Sequence, residues 1–95
     1  MKFTWKYDKI YKVHKCSVGN MTLCVSRYFY GYTGSLRAFS SSSFIDNKKS
    51  LSAAQKNLER LAEQKFKDLV ASLCRQARDM RVTREELCDM IEDAY

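Results

Sequence analysis

Acid–base and nucleophilic chemistry has few candidates in this 95-residue chain: one histidine, His14, and four cysteines, Cys16, Cys24, Cys74 and Cys88. An imidazole can activate a thiol within hydrogen-bond reach when a third group orients it. His14 and Cys16 are two residues apart, so on a strand they share a face. No third group stands near them in the sequence, and the expected role of His14 is that of a half-exposed sheet residue. His14, Cys16 and Cys24 also form a formal metal triad, because Cys16 and Cys24 lie across a turn from each other. Zinc sites favour closely spaced cysteine knuckles and a fourth ligand, and this sequence offers neither. Its three glycines do not make a phosphate-binding loop. No catalytic residue, metal or cofactor is expected, and the chain reads as a non-enzyme. The cysteines are expected to act as small hydrophobes, reduced in a cytosol, with Cys74 and Cys88 in the helical stripes or at their borders.

A second chemistry is better represented. Lys2, Lys6, Lys9, Lys12, Lys15, Arg27 and Arg37 interleave with Trp5, Tyr7, Tyr11, Tyr28, Tyr30 and Tyr32. Lysine and arginine neutralise phosphates, and aromatic rings stack on bases or anchor a protein partner. The charge follows the same division. Residues 1–50 carry nine basic side chains against Asp8 and Asp46 (9 − 2 = +7), and residues 51–95 carry eight against nine (8 − 9 = −1). From Val82 onward the balance is 1 − 5 = −4. Such asymmetry directs attention to a polyanionic partner for the first half.

The elements that must carry these residues follow from periodicity. Residues 3–39 are rich in β-favouring side chains, and Phe3, Trp5 and Tyr7 alternate with polar neighbours. Gly19-Asn20 is a hairpin turn centre, which sets Val18 opposite Met21, Cys16 opposite Leu23 and His14 opposite Val25. A second turn is expected around Gly31 to Gly34, followed by a short strand from Ser35 to Phe39, and Asp8-Lys9 is a point where the first strand can break. Residues 40–49, opening with the serine run Ser40 to Ser43, read as a polar loop. A helix is expected over 50–81, capped by Ser50 or by Ser52 with Gln55. Its apolar positions from Leu51 to Met80 recur every three or four residues. Thr83 and Glu86 form a capping box, with Val82 and Leu87 at staple positions, for a short acidic helix over 83–94. The expected architecture is α+β, a single domain over 1–95: a three-stranded antiparallel β-meander, a long amphipathic helix and a short C-terminal helix. The second half of the long helix outruns a strand's length and needs cover, either from the C-terminal helix or from a homodimer. Arg75 to Tyr95 has a helix-turn-helix outline, but the acidic second helix would be repelled by phosphates.

The Trp-led meander followed by a Ser-led helix, here Ser50 through Leu58, resembles the architecture of small accessory proteins of phages and other mobile elements. Anti-CRISPR and other anti-defence inhibitors are among them. The resemblance covers roughly residues 3–66. It implies a cytoplasmic setting in a phage or its bacterial host, and a partner that is a nucleic-acid-processing complex. A DNA-mimic mechanism would need an acidic surface, which only the C-terminal helix has. With no secretory leader and no apolar span, the residues themselves also point to the cytoplasm.

The expectation is therefore a binding module whose open sheet face meets nucleic acid or a nucleoprotein complex through Trp5, Lys6, Tyr7, Tyr11, Lys12, Arg27, Tyr28, Tyr30, Tyr32 and Arg37. The alternatives are an inhibitor that grips a host defence protein and, third, a small enzyme.

Overall fold

The computed structural model describes residues 1–38 and 41–95, and of Asn47 the backbone alone. Five antiparallel strands come first: β1 (Lys6–Asp8), β2 (Val13–Val18), β3 (Met21–Tyr28), β4 (Gly31–Ala38) and β5 (Ser41–Lys48). They form one sheet in the order β1-β2-β3-β4-β5, a meander in which every strand pairs with its chain neighbour. Two helices follow, α1 (Leu51–Asp79) and α2 (Arg84–Ala94). The chain is α+β as expected, but the sheet has five strands where three were anticipated.

Each extra strand has a physical origin. Asp8 ends β1 because its carboxylate turns back to accept from the Ile10 and Tyr11 amides, at 2.9 and 3.2 Å. Such a side-chain-to-backbone turn closes the loop over 9–12. The stretch read as a polar loop is instead β5. Its serines pair with β4 (Leu36 opposite Ser43, Arg37 opposite Ser42, Ala38 opposite Ser41). A buried β4 needs partners for its backbone on both sides, and that demand outweighs the weak strand preference of serine. The anticipated turn at Gly31 to Gly34 is also corrected. The chain turns at Phe29-Tyr30, and both glycines lie within β4. Gly31 (φ +156°) passes so close to the Lys48 carbonyl that no Cβ would fit, and a Cβ on Gly34 would stand 2.9 Å from Leu58 Cδ1. They are glycines of close approach. The expected boundary at Phe39 and Ser40 lies outside the described residues.

The Gly19-Asn20 hairpin has the expected register, with Val18 opposite Met21, Cys16 opposite Leu23 and His14 opposite Val25. Continued across the sheet, that register sorts side chains into rows on one face. One row is Val18, Met21, Ala38; the next Cys16, Leu23, Leu36; then Tyr7, His14, Val25, Gly34, Ile45; then Arg27, Tyr32, Lys48. Ala54, Leu58 and Ala62 of α1 lie four residues apart on one stripe. They join Cys16, Met21, Leu23, Val25, Leu36, Ala38 and Ile45 in the buried core. Small alanines alternate with Leu58 there, and Leu58 seats over Gly34. Burial pushes the Cys16 thiol up from its ordinary value.

Ser50 caps α1, its hydroxyl accepting from the Ala53 amide at 3.1 Å, as helix N-termini favour. The helix ends in a Schellman motif. Arg81 takes the left-handed conformation (φ +59°), its amide donates to the Arg78 carbonyl (3.0 Å), and the Val82 amide donates to the Ala77 carbonyl (2.8 Å). Thr83 then caps α2 as the sequence indicates, accepting from the Glu86 amide at 3.1 Å.

The chain divides into two compact units, Met1–Lys65 and Phe66–Tyr95, and α1 contributes residues to both. Among the described residues, no helix is long and apolar enough to cross a membrane.

Candidate nucleic-acid interface

The row arrangement explains where an aromatic and basic cluster forms. Within the first unit the buried core stops at Val25 and Gly34, and the same face then continues as Tyr7, His14, Arg27 and Tyr32, which are half-buried or exposed. The turn at Phe29-Tyr30 and the loop over 9–12 rise beside this end of the sheet. Tyr7, Lys12, His14, Arg27, Tyr28, Phe29 and Tyr32 together line an open concavity. No carboxylate lines it among the described residues.

Each side chain is held by a local cause. Tyr7 stands opposite His14 in the β1–β2 register, with ring centroids 4.8 Å apart. Arg27 stands opposite Tyr32. Phe29 is 89% exposed and meets Tyr28 edge-on at 5.5 Å, the geometry that ring quadrupoles favour. Lys12 reaches the concavity from a left-handed backbone (φ +54°) at the end of the loop that Asp8 organises. The Tyr11 amide does most to hold the Asp8 carboxyl below its ordinary range, against a smaller desolvation effect. The Ile10 amide and Lys15 (Nζ 3.4 Å away) assist. Lys15 also sits 5.0 Å from the Tyr11 ring centroid, a cation–π contact on the loop's outer side.

Of the ten residues expected on the open sheet face, Tyr7, Lys12, Arg27, Tyr28 and Tyr32 come together instead at the end of the face whose core packs on α1. The other five do not join them. Trp5 packs against the core, and its indole donates to Glu59 Oε1 at 3.0 Å, which ties the N-terminal segment to α1. Strand alternation turns Lys6 and Arg37 to the opposite face of the sheet, among Ser17, Thr22 and Ser42. Tyr11 and Tyr30 are exposed in their turns outside the lining of the concavity. A second depression, beside β1, contains Lys6, Lys9 and Lys15 but also Asp8.

Two lining residues fall outside the expected surface, His14 and Phe29. His14 is legible in the sequence: it faces Val25, and Arg27, two residues on, must share that face. Phe29 needs the true turn position, which the nearby glycines disguise. Among the described residues, all four cysteines are free thiols and no group of three His, Cys, Asp or Glu side chains is arranged to hold a metal ion.

No family model, curated protein or solved structure matches this chain.

Proposed function

We propose that the chain is a nucleic-acid-binding module and that the concavity of Tyr7, Lys12, His14, Arg27, Tyr28, Phe29 and Tyr32 takes a short stretch of single strand. The observation that carries this reading is the convergence of solvent-exposed rings with Lys12 and Arg27 in a depression without a carboxylate among the described residues. Lys12 and Arg27 neutralise phosphates, while Phe29, Tyr28 and Tyr7 offer faces or edges on which unpaired bases stack. Stacking tolerates any base, so little sequence preference is expected. The surrounding charge adds long-range attraction: Met1–Lys65 carries twelve basic and four acidic residues, 12 − 4 = +8.

Fluorescence anisotropy with a labelled oligonucleotide of about ten nucleotides tests the reading. Binding is expected at low salt and must weaken steeply between ~50 and ~200 mM. Phe29→Ala should weaken it roughly tenfold to a hundredfold, the value of one base–ring stack. Arg27→Ala should lower the salt slope by about one. Absence of binding at ~50 mM salt, or binding indifferent to both substitutions, contradicts the proposal. A salt-tolerant complex with a protein, and none with the oligonucleotide, would return the chain to the inhibitor reading.

A further inference from the structure

The second unit has almost no interior. Among the described residues of Phe66–Tyr95, Ala77 is the one buried side chain, and α2 contributes none. Thirty residues in this state fall below the roughly 40 at which a fold needs disulfides, metals or oligomerisation. Its cysteines, Cys74 and Cys88, are free and exposed. Yet the unit is not short of apolar side chains. Phe66, Leu69, Val70, Leu73 and Met80 are 45–77% exposed and recur at helical spacing along α1 and its C-terminal turn. Met90 and Ile91 of α2 are 54% and 43% exposed.

We propose that this face is the contact of a homodimer, a second copy of the chain seated on it through the same surface. Two quantities favour a second copy. The first is area. Seven large apolar side chains, 43–77% exposed, offer several hundred Å² of apolar surface, a patch of the size that marks an interaction site. A stable interface takes about 800 Å² per partner, of which about 65% is apolar in homodimers, or ~520 Å². The second is charge. At 100° per residue, Lys67 and Arg78 flank the α1 stripe (+2), whereas Arg84, Glu86 and Asp93 flank the stripe of α2 (1 − 2 = −1). In a two-fold arrangement α2 of each copy meets α1 of the other. Apolar stripe then covers apolar stripe and the rims have opposite sign, so each copy presents the complement of its own surface.

Light scattering on the full chain, without nucleic acid, tests this independently of the nucleic-acid reading. The mass should be twice the 11.1 kDa of the chain when measured between ~5 and ~200 μM. The L69E/L73E double variant should be monomeric with unchanged far-UV circular dichroism, because both side chains are exposed in the single chain. Phe44→Glu, on the sheet and 74% exposed, should leave the dimer intact. If L69E/L73E loses helicity, L69A/L73A, which keeps helix propensity, should associate at least about tenfold more weakly. A wild-type monomer at every concentration, or a dimer that survives the leucine substitutions, overturns the proposal.

Discussion

Gly34 shows how one residue decides the way α1 lies on the sheet. Its backbone is ordinary, so its value is the space it leaves. Leu58 Cδ1, the Cys24 carbonyl and Ile45 Cγ1 would stand 2.9, 3.1 and 3.1 Å from a Cβ added there. A leucine methyl can yield a little, but the carbonyl of a paired neighbouring strand cannot. Gly34→Val is therefore expected to destabilise the first unit by about 1–3 kcal/mol through overpacking. Urea unfolding should show a lower midpoint with an unchanged slope. An unchanged midpoint would mean that Leu58 does not rest on this glycine. The same residue shows a limit of sequence reading. Gly31 and Gly34 sit close together after aromatic residues and look like a turn, but what they avoid is contact with Lys48 and Leu58, partners that chain order does not reveal.

At the level of elements, boundaries set by capping chemistry are legible in the sequence and the one set by pairing is not. Ser50 and Thr83 cap their helices through side chains that the sequence displays, and the Gly19-Asn20 turn fixes a register that carries through β2 and β3. The strand β5 has no such local mark. Its serines become a strand because β4 supplies the partner. The concavity is half legible for a related reason. Basic and aromatic residues do line it, but strand alternation sends Lys6 and Arg37 to the other face, and Trp5 is committed to Glu59. The junction between α1 and α2 carries a testable strain. Arg81 is exposed and holds the left-handed conformation that suits glycine. Arg81→Gly should stabilise the second unit by about 0.5–1 kcal/mol, the relief of the Cβ contact less the added freedom of the unfolded chain. Thermal unfolding followed by circular dichroism measures it, and a lower melting temperature would show that the arginine side chain contributes more than its backbone costs.

For the whole molecule, the division of charge parallels the division of structure. Met1–Lys65 holds an excess of 12 − 4 = +8, and Phe66–Tyr95 is slightly acidic (5 − 7 = −2). The proposed roles separate in the same way, a basic sheet that takes a polyanion and a helical unit that takes a second copy. The functional reading rests on the proposed nucleic-acid site, and backbone amide chemical-shift mapping during titration with a short single-stranded oligonucleotide tests it most directly. The amides of Tyr7, Lys12, His14 and Arg27 through Tyr32 should move together, while those of Ser17, Thr22 and Ser42 on the opposite face stay still. Shifts centred on that opposite face, or no shifts at low salt, would contradict the account.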